Sequence, residues 1–393
     1  MREWYEIEKI IEEKNADVLK KYFDKRIYIF GAGILGESLA FTLKHYNCFG
    51  AYIDNDINKQ RYGVNGLPVI SLNKYLEKGN DDFIVIACSE KNRKVIENQL
   101  SRYGVKKECF HYIDDFTDDV LPYLAYGKYN EIFVRLAQIS LTERCTLRCE
   151  KCAHSCYNTN SSSVDLTLEE AKESADYFFT NVDYVDEFVL IGGEPFLYRQ
   201  IKDIIQYIGS RYRHLISNYS ITTNGTIIPD KDVLRACKDN DVIIHISDYS
   251  VNIPRLKKRY EELRGVLAEN GVRYSFYPSD GVWTDYGIGR INRKATEQEL
   301  KKIFEGCHTP CREIRKNKYY YCVMARCATD NLNLDIGKDD YLDLSALQKD
   351  EMRRMKLLAF QCGLLPKGYL EMCNHCYGSE RINHLIPVAI QKR

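Results

Sequence analysis

Apolar residues Trp4, Ile7, Ile10, Ile11, Val18 and Leu19 recur at helical spacing among charges, which predicts an amphipathic helix over 1–24. The period then shortens. An apolar run at 26–30 predicts a strand, and Gly31-Ala32-Gly33-Ile34-Leu35-Gly36 leads it into a helix ending near 46. A second strand over 50–54 ends on Asp54, an extended element surrounds 67–70, and a strand over 82–88 precedes a helical pattern at 91–102. Strands that are continuously apolar and alternate with helices belong in a parallel, doubly wound sheet. Residues 114–134 show no period and read as a linker. From 137 the alternation resumes, with strands expected at 137–141, 187–191, 219–223, 242–247 and 272–277. The capping box Thr167-Leu168-Glu169-Glu170 opens a helix that runs to about 179. Five β/α units predict a partial or full parallel barrel. Beyond about 301 the pattern is irregular, with one main helix expected at 345–360. The fold class is therefore α/β. Its expected parts are a doubly wound domain at 1–117, a linker at 118–134, a barrel core at 135–300 and a cysteine-rich extension at 301–393.

Composition narrows the function classes. Lys+Arg and Asp+Glu are equal at 56 each in 393 residues, so no overall field favours nucleic acid. The longest apolar runs, such as 83–88, are far too short to span a membrane, and the amino terminus carries acids where a signal peptide carries an apolar core. A cytoplasmic protein is expected. Its 15 cysteines are then too many to leave unexplained, because disulfides are rare in that compartment. Cys48, Cys88, Cys109 and Cys237 stand singly and read as small core residues. The rest cluster at 145–156 and 307–376, which argues for metal.

Cys145, Cys149 and Cys152, spaced C-x3-C-x2-C, follow a strand directly. Three thiolates are one short of a closed tetrahedral zinc site and suit an iron–sulfur cluster with one open iron. The alternative is a zinc knuckle, which Cys156 would complete. At the end of the next strand stand Gly192, Gly193, Glu194 and Pro195. Together these elements resemble the radical SAM superfamily. The resemblance implies a [4Fe-4S] cluster on Cys145, Cys149 and Cys152, with the amino and carboxylate groups of S-adenosylmethionine on the fourth iron. It implies close backbone approach at the glycines, Glu194 accepting from the ammonium group, and Thr223, Asn224, Ser247 and Asp248 receiving ribose and carboxylate. Where the family often has an aromatic residue before the last cysteine, this chain has Lys151. Cys156 is close enough in sequence to serve as a hydrogen-atom donor.

The second cysteine group resembles the SPASM and Twitch extensions of that superfamily, with Asn317 where their opening signature has glycine. The resemblance implies an auxiliary [4Fe-4S] cluster on Cys307, Cys322, Cys373 and Cys376, with Cys311, Cys327 and Cys362 as alternates. A four-cysteine zinc site is the competing reading. Asn317 is expected in a turn, where asparagine tolerates left-handed backbone.

Gly31, Gly33 and Gly36 permit a tight turn and a phosphate on the following helix, with Asp54 placed for a ribose hydroxyl. The bland alternative is a turn that needs glycine only for packing. Residues 25–115, including Gly66-Leu67-Pro68-Val69, resemble nucleotide-sugar-binding Rossmann-like domains attached to sugar-modifying enzymes. The resemblances imply an enzyme that cleaves S-adenosylmethionine with electrons from a flavodoxin- or ferredoxin-type donor. Its expected substrate is a small molecule or nucleotide-sugar, which it oxidises, epimerises or rearranges. Two rivals stand beside this reading: a SPASM-type peptide maturase, and a non-catalytic iron–sulfur sensor or zinc scaffold.

Overall fold

The computed structural model describes residues 1–79, 82–158, 165–278, 281–309, 311–334, 336–379 and 384–392. The chain forms two compact units. One is Glu8–Arg135; the other joins Met1–Ile7 to Leu136–Arg393. The helix Trp4–Tyr22 forms as its spacing predicts, with Ile7 and Ile11 buried. No described helix is long and apolar enough to cross a membrane.

In the unit 8–135, strands β1 (Ile27–Phe30), β2 (Phe49–Ile53), β3 (Val69–Ile70), β4 (Phe83–Ile86) and β5 (Phe110–Tyr112) order as β3-β2-β1-β4-β5. All neighbours are parallel. β1 and β4 are buried along their whole length, which is why they read as continuous apolar runs. Phe30, Ile53, Ile84, Ile86 and Phe110 share one core. β5 was not expected, being three residues of Phe-His-Tyr with no period to detect.

The stretch 118–134 is not an open linker. A π-helical turn, Phe116–Val120, continues into the helix Leu121–Tyr129, burying Phe116, Val120, Leu121, Tyr123 and Leu124. A helix apolar on several sides leaves no amphipathic period to read.

The larger unit holds an eight-stranded mixed sheet and a separate two-stranded one. Its strands are β6 (Phe133–Ser140, which begins in the other unit), β7 (Tyr184–Ile191), β8 (Ile216–Thr223), β9 (Val242–Asp248) and β10 (Tyr274–Pro278). To these are added β11 (Val282–Thr284), β12 (Arg312–Arg315), β13 (Lys318–Tyr320), β14 (Tyr341–Asp343) and β15 (Leu385–Pro387). The order is β10-β9-β8-β7-β6-β12-β13-β14, while β11 and β15 pair separately. Among the described residues β10 and β14 are the edges, so the sheet does not close into a full barrel. β12 lies parallel to β6, and β13 and β14 return antiparallel. Part of the stretch expected as irregular extension therefore belongs to the main sheet. The helix expected at 345–360 is two helices, Leu344–Leu347 and Arg353–Gln361. Between them the Asp350 carboxylate accepts from the Met352 N–H at 2.8 Å, a local bond that restarts the chain.

Candidate active site

The site begins where β6 ends. Gly192 and Gly193, just past β7, press against the outgoing loop. The Gly193 and Glu194 N–H groups donate to the Thr142 and Arg144 carbonyls, each at 2.8 Å. A Cβ at Gly192 or Gly193 would lie 2.4 or 2.3 Å from those same oxygens. Only glycine lets the two strand ends close.

Glu194 is fully buried. Its carboxylate accepts from the Thr223 hydroxyl (2.8 and 2.9 Å), the Asn224 N–H (3.0 Å) and the Phe196 N–H (3.2 Å). Burial pushes its pKa up to about 7 against those three donors. The side chain expected to face an ammonium group thus ties β7 to the end of β8. The Tyr260 hydroxyl links β8 to β9, contacting the carbonyls of Asn224 at 3.1 Å and Ser247 at 3.2 Å. Asp248 accepts from the Ser250 N–H at 2.8 Å. Glu194, Thr223, Asn224, Ser247 and Asp248 all stand at one end of the sheet.

Cys145, Cys149 and Cys152 lie within one another's electrostatic field. Burial pushes the Cys145 thiol up to about 12 and Cys149 to about 11. Several N–H groups oppose this by aiming at sulfur: Leu147 (3.4 Å) and Asn224 Nδ2 (3.5 Å) at Cys145, and Gln391 Nε2 (3.2 Å) at Cys149. Donors aimed at sulfur favour thiolates, the form a metal needs. Cys156 hydrogen-bonds Cys152, lowering the Cys152 pKa and raising its own. Among the described residues no three His, Cys, Asp or Glu side chains converge on a single-ion site. A cubane cluster imposes a different geometry, because each thiolate takes its own corner iron. Lys151 adopts φ 60° and pairs with Asp285 at 3.1 Å.

Residues 139–264 match the family model of the Radical SAM superfamily. The matched stretch runs from β6 to the helix after β9 and is similar to radical SAM domains. The uncharacterized protein MJ0907 of Methanocaldococcus jannaschii is 30% identical over 124 residues, 31% of this chain and 41% of its own length. A GTP 3',8-cyclase of Aquifex aeolicus is 34% identical over 128 residues, 32% of this chain and 38% of its own. The chain thus spans about two fifths of the length of these relatives. Among solved structures, BtrN in complex with AdoMet and 2-DOIA aligns at 12% identity and TM-score 0.40, covering 64% of this chain and 98% of that one.

Beyond the matched stretch, the tail cysteines gather. Burial first, then the fields of Cys376, Cys307 and Cys373, push the Cys322 thiol well above its ordinary value. Cys311 lies near this group through Tyr286, and Cys362 through Tyr321. Cys327 turns away, its Sγ 3.0 Å from the Ala153 carbonyl. The left-handed residue of the β12–β13 turn is Lys316 (φ 56°), not Asn317. Asn317 instead donates its amide to Asp343 (3.0 Å) and Ser345 (3.1 Å).

Residue spacing gave no sign of the buried network beneath the loop. Arg326, fully buried, bonds Glu143, Glu313 (2.8 Å) and His154 Nδ1 (2.9 Å), while Asn331 Nδ2 donates to Glu143 (2.6 Å) and the His154 carbonyl (2.7 Å). Burial pushes Glu143 up, but Arg326 and Arg315 prevail and hold it down at about 2. Burial dominates at Glu313 and lifts it to about 7.

In the unit 8–135 a cavity of about 170 Å³ opens at the carboxyl ends of β1, β2 and β4, lined by Gly31, Asp54, Asn55, Cys88, Asn92 and Val95 among others. Gly31 takes φ 114°, and a Cβ at Gly36 would sit 1.9 Å from the Gly31 oxygen. Gly33 differs: it caps the helix Ile34–His45 without a side-chain bond, and a Cβ there meets nothing within 4 Å. Asp54 accepts from the Ala32 N–H (2.9 Å), the Asp56 N–H (3.0 Å) and Lys59 Nζ (3.1 Å). Burial pushes its pKa up, but these donors outweigh it and the net shift is downward.

Proposed function

We propose that the chain is a radical SAM enzyme acting on a nucleotide-linked sugar or polysaccharide precursor. In this reading Cys145, Cys149 and Cys152 hold the [4Fe-4S] cluster. Gly192, Gly193 and Pro195 shape the backbone against S-adenosylmethionine, and Thr223, Asn224, Ser247 and Asp248 frame it. Bound together, the cluster and S-adenosylmethionine supply a hydrogen-abstracting radical. The chain's own residues hold the strand ends together, through Glu194 and Tyr260, and exclude water around one C–H bond. Cys307, Cys322, Cys373 and Cys376 hold a second [4Fe-4S] cluster, a reading supported by their mutual fields. Arg293 supports it too, donating to the Cys373 and Cys376 carbonyls while stacked 3.7 Å from the Tyr377 ring centroid. A flavodoxin- or ferredoxin-type protein is the electron donor.

The substrate class rests on one observation, the cavity between β1, β2 and β4. Parallel sheets bind ligands at the carboxyl ends of their strands, and phosphates favour uncapped helix amino termini. Gly33 leaves the amino terminus of the helix Ile34–His45 uncapped, and Val95 and Ile96 offer an apolar wall for a base.

The test is calorimetric titration of the full chain with UDP-glucose, GDP-mannose and GTP. GTP is included because several relatives are named GTP 3',8-cyclase. A nucleotide-sugar is expected to bind. Gly33→Asp should abolish that binding while leaving the melting temperature unchanged or slightly raised, since aspartate caps helices and has room here. Absence of heat with every nucleotide removes the nucleotide-linked substrate. Binding of GTP alone moves the reading to a purine triphosphate.

A further inference from the structure

The segment 388–392 lies directly on the cluster loop. Ile390 O accepts from the Glu150 N–H at 2.6 Å, the Lys392 N–H donates to Arg148 O at 2.7 Å, and Cys149 and Gln391 form an antiparallel bridge. Val388 and Ala389 are wholly buried, and the Asn252 amide donates to Val388 O at 3.0 Å. Ala389 adopts φ 53°, a left-handed conformation that a β-carbon disfavours. Residues hold such a conformation only where their surroundings over-determine it.

Gln391 is the polar side chain this segment delivers. Its Oε1 accepts from the Arg148 N–H at 2.9 Å, and its Nε2 donates to Ala389 O at 2.7 Å and to Cys149 Sγ at 3.2 Å. The amide orientation follows from its partners. A backbone N–H can meet only the oxygen and a backbone carbonyl only the nitrogen, so the second N–H faces sulfur.

We propose that Gln391 is a positioning residue that sets the reduction potential of the cluster on Cys145, Cys149 and Cys152. The inference rests on the reading that Cys149 is a ligand. An N–H donor at a ligand sulfur stabilises the added negative charge of the reduced cluster and so raises its potential.

The test uses anaerobically reconstituted full-length protein and an EPR-monitored redox titration. The signal of the loop cluster is recognised by its change when S-adenosylmethionine is added. Gln391→Leu removes the donor, and Gln391→Glu removes it while keeping an oxygen for the Arg148 N–H. Both midpoints are expected to move negative, Gln391→Glu further because its carboxylate faces sulfur. Pulsed EPR on wild-type protein carrying 15N in its glutamine side-chain amides should show a weak nitrogen coupling to the reduced cluster, whatever the variants do. An unchanged midpoint in both variants, or no nitrogen coupling, overturns the proposal. The ligand reading fails separately, if replacing Cys145, Cys149 and Cys152 by alanine removes no iron.

Discussion

His111 occupies the middle of β5, its Nε2 2.6 Å from the Tyr22 hydroxyl and its ring beside Phe83 and Phe116. Burial first, and then the Lys21 charge, hold the imidazole pKa below its ordinary range, so the folded chain carries it neutral. The unfolded imidazole takes its proton at about pH 6.5, and below that value the unfolded state binds more protons than the folded one. This residue therefore contributes stability above that pH, and the contribution is lost as pH falls. Melting temperatures taken from about pH 7 to about pH 5 should fall more steeply for wild type than for His111→Phe, which keeps the ring packing but not the titration. Parallel slopes would show that His111 is not a source of the pH dependence. None of this was legible in Phe-His-Tyr. At Gly192 and Gly193, by contrast, the family resemblance implied a close backbone approach, and these glycines do approach the Thr142 and Arg144 carbonyls closely. What the sequence did not disclose there is that Glu194 turns inward to β8.

The helix Val323–Leu332 is the element that most repays attention to its packing. Cys322 sits at its amino-terminal cap, among the tail thiols. Further along, Arg326, Cys327 and Asn331 reach the segment Ala153–His154 just after the last loop cysteine and Glu143 just before the first. One helix thus touches both cysteine groups. Removing the guanidinium would strand Glu143 and Glu313 in the interior without their cation. Arg326→Met should lower stability by about 3–5 kcal/mol in chemical denaturation, and adding Glu313→Leu should restore part of it. If the single variant loses under about 1 kcal/mol, the network is not structural. The helix itself was missed because it reads as part of an irregular tail. Its buried positions include Arg326 and Asn331, so no apolar stripe marks it.

For the whole molecule, the proposed arrangement of two clusters makes a countable statement. Reconstituted protein should carry about eight iron, and alanine at Cys145, Cys149 and Cys152 should leave about four. Alanine at Cys373 and Cys376 should also leave about four, with the S-adenosylmethionine-sensitive EPR signal intact. Zinc without iron in the tail would remove the second cluster.

What the sequence determined by itself was local: strand–helix alternation, glycine where backbone must turn or touch, and cysteine spacing within one loop. These depend on neighbours a few residues away, so period and spacing reveal them. The tertiary structure decided the rest. β12 joins the sheet beside β6, Arg326 meets His154 across 172 residues, and Gln391 meets Cys149 across 242. Such contacts come from chain closure, which brings distant segments together without leaving a local signature at either end. The loop cysteines were visible in the sequence, but the groups that touch and hold them became visible only on folding.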